Sequence, residues 1–280
     1  MKQEISKHLE EIVAGVRKDL DGRKKVVPFS DLVRRAGEMG PRREIRTRLA
    51  RRPGIIAEVK RASPSKGWIR KELDAASAAR LYAEAGACAV SVLTESRFFG
   101  GSLADLQAAS AASGETPVLR KDFLLDEYML AEARAHGADM ALLIVAVLRT
   151  NTGRMVRAAR EYGMEPLVEV HDEEELAIAA DAGATIVGIN NRDLATLRVD
   201  LRTSERLLPK VPDRAIKVVE SGISSAGDVR RFTQLGADAF LVGEALVRAE
   251  DPALAIRNLL LEPIPPEREK EGSEWKRRSS

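Results

Sequence analysis

The sequence predicts an α/β protein, a (β/α)8 TIM barrel with an extra N-terminal helical segment. Short runs rich in β-branched residues alternate with alanine-rich helical stretches, and a glycine–alanine pair precedes every second run. Strands that alternate with helices form parallel βα units. A unit of two such pairs that repeats four times closes most easily as a barrel.

Eight runs are predicted as the barrel strands, because each is short, apolar and rich in β-branched residues. They are residues 55–61, 88–95, 117–123, 140–147, 166–171, 185–193, 216–223 and 240–246. The alternative is a doubly wound open sheet. No GxGxxG or GxxxxGK[ST] motif follows any of these runs, so the nucleotide-binding forms of that fold are not supported.

The glycine–alanine pairs mark the internal repeat. They are Gly86-Ala87, Gly137-Ala138, Gly183-Ala184 and Gly236-Ala237, before the second, fourth, sixth and eighth runs. A glycine just after the last helical residue ends the helix in a left-handed conformation. We therefore expect each pair to stop a helix before the chain enters the next strand.

The two ends of the chain differ from this pattern. Residues 1–50 carry apolar residues at helical spacing and no strand-like run, which predicts an N-terminal helical extension packed on the barrel. The barrel is assigned to residues 51–261. Residues 262–280 are proline-rich, charged and nearly free of large apolar residues apart from Trp275, which predicts a disordered charged tail.

Composition excludes several classes of protein. The 280 residues include 45 Lys and Arg against 43 Asp and Glu, a net charge of +2, which gives no electrostatic case for binding nucleic acid. The arginines around residues 42–52 are expected on a solvated helix face. The longest apolar run, Met140 to Leu148, is too short to span a bilayer, and the N-terminus lacks the apolar stretch of a signal peptide. The single cysteine, Cys88, fits a reducing compartment, so a cytoplasmic location is expected.

Charged residues end the odd-numbered strands. They are Glu58 and Lys60 on the first strand, Lys121 on the third, Glu169 on the fifth and Glu220 on the seventh. Catalytic residues of such barrels lie at the carboxyl ends of the strands. The chain has 32 Arg and only 13 Lys, and a lysine offers an ammonium whose pKa can move. This pattern favours proton-transfer chemistry, and a purely structural network of ion pairs is the alternative.

A second pair of motifs favours phosphate binding. Ser221-Gly222 follows the seventh strand, and Gly243-Glu244 follows the eighth. Barrels commonly hold phosphate here through loop amides, and glycine allows the backbone to approach closely. Glu244 has the wrong charge, so its N–H is expected to face the ligand. The three histidines, His8, His136 and His171, show no ligand-like spacing, so no metal site is expected.

At these residues the chain resembles the indole-3-glycerol-phosphate synthase family, from about residue 5 to residue 260. The matching segments are IAEVKRASPSKG (56–67), SVLTESRFFGGSL (91–103), PVLRKDF (117–123), LVEVHDEEEL (167–176), IVGINNRDL (186–194), ESGI (220–223) and LVGEAL (241–246). The resemblance implies that 1-(2-carboxyphenylamino)-1-deoxyribulose 5-phosphate is converted to indole-3-glycerol phosphate, carbon dioxide and water, in tryptophan biosynthesis. This carboxy-lyase reaction needs neither metal nor cofactor.

The resemblance also implies roles for individual residues. Lys121 would be the general acid of ring closure, Lys60 would hold the substrate carboxylate, and Glu169 would act in dehydration. Glu58 would orient Lys121 or take a proton. The remaining residues would bind substrate or support the cluster: Asn190 and Glu220 at the hydroxyls, Arg192 as a brace, Phe99 and Phe123 around the aromatic ring, and Ser63, Ser221, Gly222, Gly243 and Glu244 at the phosphate.

Three other functions are alternatives to the one that the resemblance implies. A phosphoribosylanthranilate isomerase-like barrel would require a Cys/Asp pair at strand ends, whereas Cys88 opens a strand. A catalytically silent metabolite-binding barrel would not need so many ionisable groups. Nucleic-acid binding fails on composition. The expected partner is a small phosphorylated substrate, with no nucleic acid and no membrane, and the expected state is a monomer or a weak homodimer.

Overall fold

A closed barrel of eight parallel strands forms the centre of the molecule, in a computed structural model that describes residues 7–261. We label the strands β1 to β8: Gly54–Val59, Ala89–Leu93, Val118–Lys121, Met140–Ile144, Glu165–Val170, Ile186–Asn190, Ile216–Glu220 and Ala239–Val242. Each strand pairs with its neighbours in sequence, and β1 also pairs with β8, where Gly54 lies opposite Ala239. The predicted fold class is confirmed.

The predicted runs overlap all eight strands and extend beyond their carboxyl ends, while β1, β5 and β8 begin one residue before their runs. The last run, 240–246, is the clearest case, because the ladder stops at Val242 and the chain enters a helix at Glu244. The apolar composition continues into that helix because Leu246 and Val247 are also buried. Periodicity alone therefore could not locate the rim of the barrel.

Thirteen α-helices lie within the described residues. We label them α1 to α13: Lys7–Val26, Phe29–Glu38, Arg46–Leu49, Ala75–Glu84, Leu103–Ala112, Glu127–Ala135, Val145–Leu148, Thr152–Glu161, Glu173–Asp181, Arg202–Leu207, Ala226–Gln234, Glu244–Arg248 and Pro252–Leu261. Four begin with a side-chain cap, in which Asp74, Ser102, Asp172 or Ser225 accepts a hydrogen bond from the backbone N–H three residues ahead.

The glycines of the four repeated pairs all have positive φ, between 71° and 100°. Each follows the last residue of its helix, as predicted, and a residue with a Cβ would be strained there. Short antiparallel pairing also occurs between Ala62–Ser63 and Gly67–Trp68, in the loop after β1. That loop folds over the carboxyl end of the barrel.

Helices α1 to α3 form the extra N-terminal helical segment and precede β1. One face of α1 is buried through Leu9, Ile12, Val16 and Leu20. Ion pairs also connect α1 to the helices and loops around the barrel. Arg23 Nε lies 2.7 Å from Glu132 Oε1, and Lys24 pairs with Asp126. Arg97 donates two hydrogen bonds to Asp19. The helix is thereby held across one side of the carboxyl-end cavity.

The arginines around residues 42–52 do not simply cover a solvated helix face. Arg43 pairs with the buried Asp139 at 2.7 Å, and Arg52 pairs with the buried Asp238 at 2.5 Å. Both aspartates also accept a backbone N–H from the preceding odd strand, since Asp139 binds Val118 and Asp238 binds Lys217. Arg42, Arg46, Arg51 and Arg52 are exposed, as expected, but Arg43 and Arg52 also bind buried acidic partners that sequence periodicity did not reveal.

The predicted tail, residues 262–280 with Trp275, lies outside the described residues, as do residues 1–6 of the predicted N-terminal extension. Between residues 7 and 261, none of the helices is long and apolar enough to span a membrane. The assignment of residues 1–50, 51–261 and 262–280 to three domains stays a prediction.

Candidate active site

A cavity of about 740 Å³ opens at the carboxyl ends of the strands. All fourteen site residues predicted from the sequence line this cavity: Glu58, Lys60, Ser63, Phe99, Lys121, Phe123, Glu169, Asn190, Arg192, Glu220, Ser221, Gly222, Gly243 and Glu244. They come from seven of the eight strands and the loops that follow them, so only closure of the barrel brings them together. The roles of the individual residues remain proposals.

Lys121 lies at the centre of the charged cluster. Its Nζ is 3.2 Å from Glu169 Oε2 and 3.3 Å from Glu220 Oε2. Both glutamates are 1 % exposed. A second pair lies beside them, with Lys60 Nζ 2.8 Å from Glu58 Oε1. Glu58 therefore pairs with Lys60, and it acts on Lys121 only through its charge.

Two carboxylates and two ammonium groups balance each other in this cluster. Burial alone would raise the pKa of Glu58, but Lys60 and Lys121 bring that pKa below its ordinary value. Burial opposes ionisation of Glu169 too, yet Lys121 and His171 lower its pKa well below that of a free glutamate. Burial would lower the pKa of Lys121, but the surrounding glutamates raise it above its usual range. Glu58, Glu169 and Lys121 are therefore charged at neutral pH.

Glu220 is the carboxyl group without a cation of its own. Burial is the main reason that its pKa is raised to about 8; Lys121 lowers this pKa, and the negative charges of Glu169 and Glu58 oppose that lowering. Neither of its oxygens makes a hydrogen bond within the described residues. Glu220 therefore holds a proton at neutral pH, and its oxygens face a cavity in which a substrate hydroxyl could meet them.

Two strand-end glycines make room for this cluster. A Cβ atom on Gly243 would overlap Oε1 of Glu58, and one on Gly188 would overlap Oε1 of Glu220. Gly188 was not among the predicted site residues. A lone glycine within the apolar run of β6 was the available signal, because such a glycine marks a close approach.

An apolar wall stands opposite the charged residues. The rings of Phe99 and Phe123 lie 6.4 Å apart between centroids and are tilted by 42°. Leu142 and Ile144 continue the wall from β4, and α1 adds further apolar contacts. The α1 residues, Leu9 and Ile12, were not predicted as site residues, since their helical spacing indicated only a packed face.

Glu95 shapes the loop that carries Phe99. Its carboxylate accepts hydrogen bonds from three consecutive backbone N–H groups, those of Arg97, Phe98 and Phe99, at 2.7 to 3.1 Å. The side chain is 4 % exposed and lines the cavity. Sequence reasoning missed this residue, although an acidic residue directly after β2 was a signal.

The loops after β7 and β8 form the remaining end of the cavity. Ser221 and Gly222 both have positive φ, and a Cβ on Gly222 would lie 2.7 Å from Val199 Cγ1. Helix α12 starts here, and the backbone N–H groups of its first turn have no intrahelical acceptor. The carboxylate of Glu244 lies 3.0 Å from Arg248 Nε. The acidic charge is therefore offset by Arg248.

Arg192 braces the loop that borders this end. Its guanidinium donates to the carbonyl oxygen of Leu197 at 2.9 Å, and its backbone N–H donates to Asn190 Oδ1 at 3.0 Å. Arg192 thereby connects the loop after β6 to Asn190.

Among the described residues, no group of three or more His, Cys, Asp or Glu side chains is arranged to hold a metal ion.

Comparison with known proteins agrees with this site. A family model described as indole-3-glycerol phosphate synthase matches residues 9–259. The chain belongs to the indole-3-glycerol phosphate synthase family. Relatives of that name from Nocardioides sp. and Kineococcus radiotolerans are 50 % and 48 % identical; the matches cover 90 % of this chain and 97 % and 94 % of the relatives.

Solved structures outside the family share the barrel. The 3-hexulose-6-phosphate synthase of Salmonella typhimurium aligns with a TM-score of 0.57 at 19 % identity, over 74 % of this chain and 96 % of that chain. A mutant tryptophan synthase α-subunit of Pyrococcus furiosus aligns at 0.56 and 17 %, over 74 % and 97 %. At these identities the likeness concerns the fold alone.

Proposed function

We propose that this barrel converts 1-(2-carboxyphenylamino)-1-deoxyribulose 5-phosphate to indole-3-glycerol phosphate, carbon dioxide and water, in tryptophan biosynthesis. The observation that carries the proposal is the position of Lys121, a buried ammonium between Glu169 and Glu220 at the base of a cavity with an aromatic wall. An isomerase or a silent binding barrel would not require this arrangement.

The cavity divides into regions that match the parts of this substrate. Its aromatic ring lies against Phe99 and Phe123, and its phosphate is bound by the loops after β7 and β8. The carbonyl carbon between them then faces Lys121. Binding in this orientation brings the ring carbon and the carbonyl together, and correct orientation alone lowers the barrier of a ring closure substantially.

Ring closure needs an acid at the carbonyl oxygen. As the ring carbon attacks, negative charge develops on that oxygen, which becomes a much stronger base than any carboxylate in the cavity. Lys121 transfers a proton to it and becomes neutral. General acid catalysis of this kind typically contributes 10²- to 10⁴-fold in rate.

The loss of charge on Lys121 prepares Glu169 for its own step. Lys121 is a main reason why the pKa of Glu169 is low. When Lys121 becomes neutral, that pKa rises, and the carboxylate becomes a better base. In the dehydration step Lys60 gives a proton to the departing hydroxyl, which leaves as water, and Glu169 takes the proton that is released from the ring nitrogen. Lys60, the other ammonium at the base of the cavity, binds the carboxylate of the substrate before it leaves as carbon dioxide. Lys60 is also the second available acid.

Purified protein mixed with the carboxyphenylamino substrate is expected to develop indole fluorescence. Exhaustive chelation with EDTA is expected to leave the rate unchanged, since no ligand cluster was found among the described residues. A matched preparation of the Lys121→Ala variant is the control for contaminating activity. Absence of product from well-folded protein would refute the proposed activity.

We propose a cytoplasmic protein that is active as a monomer or a weak homodimer. All the residues that line the cavity come from one chain, so no second copy is needed to complete it. The single cysteine is buried, and burial raises the pKa of its thiol to about 12, which suits a protein without disulfides. Sedimentation at several concentrations, with activity measured in parallel, tests the oligomeric state.

A further inference from the structure

The imidazole of His171 is enclosed between two buried glutamates at the back of the site. Its Nδ1 lies 2.9 Å from Glu175 Oε2, and its Nε2 lies 3.4 Å from Glu169 Oε1. The two glutamates are 3 % and 1 % exposed. Because carboxylates only accept hydrogen bonds, an imidazole between two of them is favoured with both nitrogens protonated.

Helix α9 fixes the orientation of this ring. Glu175 lies in the first turn of α9, where the capping residue Asp172 accepts its backbone N–H at 2.8 Å. The Glu175 carboxylate accepts both the backbone N–H and Nδ1 of His171 at 2.9 Å. The contact of Nδ1 with Glu175 orients the ring, and Nε2, which makes no hydrogen bond within the described residues, faces Glu169 Oε1 at 3.4 Å.

Charges of alternating sign therefore run from the cavity into the protein: Lys121, Glu169, His171 and Glu175. Asp193, in the loop after β6, is another charged group that faces His171, and a second cavity beside His171 is also lined by Arg198, Asp200 and Arg202. Glu169 is also faced by Glu220 from β7 and by the amide of Asn190 from β6. His171 does not line the main cavity. It lines the second cavity and would act on the substrate through Glu169.

We propose that His171 is a positioning residue, a permanently charged imidazolium that holds Glu169 ionised and directs its second oxygen toward Lys121. The inference rests on the proposed function, in which Glu169 is a base. Burial alone would lower the pKa of His171, but Glu169 and Glu175 raise it to about 10. The ring consequently keeps its charge throughout the neutral range.

The test follows the charge of His171 and the turnover together. Nitrogen-15 NMR of histidine-labelled protein reports the protonation of His171 as the pH changes, while kcat and KM are measured over the same range. In the wild type, His171 is expected to stay doubly protonated at pH 8. In Glu175→Gln the imidazole has lost one of its two neighbouring carboxylates, so the pKa of His171 is expected to fall. As the pH rises, kcat of this variant is then expected to decrease with the same midpoint as the NMR titration of His171.

Further variants separate the possible outcomes. His171→Gln is expected to lower kcat about 10-fold with KM within about twofold, and His136→Gln is the matched control, expected to match the wild type. The double variant His171→Gln/Glu175→Gln is expected to lack the midpoint in kcat that appears in Glu175→Gln. Independent kcat and NMR midpoints in Glu175→Gln, or wild-type kcat in His171→Gln, would overturn the inference. Full activity of Glu169→Gln would instead overturn the proposed role of Glu169.

Discussion

Gly243 and Glu58 are packed so closely that a Cβ atom on Gly243 would overlap Oε1 of Glu58, and it would lie 3.1 Å from Lys60 Nζ. The sequence suggested that this glycine allows the backbone to approach a phosphate. The structure adds a different reason for glycine at this position. Without a side chain, Gly243 leaves room for the Glu58–Lys60 ion pair at the base of the cavity.

Gly243→Ala is therefore expected to lower kcat/KM at least about 10-fold, because the added methyl group displaces Glu58 or Lys60. Gly22→Ala is the matched control: Gly22 is exposed in α1 and a Cβ there meets nothing within 4 Å. That control is expected to keep full activity and to gain about 0.5–1 kcal/mol in the free energy of unfolding. Wild-type kinetics in both variants would contradict this reading of Gly243.

Lys121→Ala is expected to lower kcat at least about 100-fold, since the acid of ring closure is lost. The structure also predicts a cost to folding, because the variant leaves Glu169 buried without its cation. Breaking a buried pair in this way costs about 3–5 kcal/mol. Steady-state kinetics and urea unfolding measure the two effects, with the exposed Lys18→Ala as the control.

The double variant Lys121→Ala/Glu169→Gln separates stability from catalysis. It is expected to recover part of the lost free energy of unfolding, because no buried charge remains unpaired. Its kcat is expected to stay low. Recovery of turnover together with stability would show that Lys121 has only a structural role.

The pKa of Glu220 predicts an alkaline limit to activity. As the pH rises through about 8, Glu220 loses its proton and a third carboxylate appears beside Glu58 and Glu169. We expect kcat to fall across this range. In Glu220→Gln this alkaline decrease in kcat is expected to disappear. If the decrease persists unchanged, it is caused by the titration of another group.

Glu220 also makes the free energy of unfolding depend on pH. The pKa of Glu220 is about 8 in the folded protein and about 4.3 in an unfolded chain. As the pH rises between these values, the unfolded chain releases the proton first, so this contribution to the free energy of unfolding decreases. Urea unfolding of wild type and Glu220→Gln from pH 5 to 9 is expected to show a flatter dependence in the variant.

Phosphate is expected to contribute most of the substrate affinity, through loop amides whose charge-assisted hydrogen bonds are worth roughly 1.5–3 kcal/mol each. The dephosphorylated substrate should lose several orders of magnitude in kcat/KM. Glu244→Ser should retain activity, because the Glu244 carboxylate contacts Arg248. Gly222→Ala should lose affinity, since Gly222 has positive φ and is packed against Val199. Normal turnover of the dephosphorylated substrate would refute phosphate binding at these loops.

The periodicity of the sequence determined the barrel and much of the cavity. Alternation of β-branched runs and alanine-rich helices, with a glycine at four helix ends, was sufficient to predict eight parallel strands. The carboxyl ends of such strands meet at one rim, so Glu58, Lys121, Glu169 and Glu220 could be placed together before any coordinates were known. These features depend on local pattern and on a general rule of barrel geometry.

Only the tertiary structure decided which charged groups pair with each other. Lys121 lies between Glu169 and Glu220, while Glu58 pairs with Lys60, and this difference leaves Glu220 protonated. Such pairing depends on side chains from strands far apart in sequence and on how deeply they are buried. Electrostatic energies change steeply with distance and burial, and residue order specifies neither quantity. For that reason Glu95, Gly188 and His171 became visible only after the barrel had closed around them.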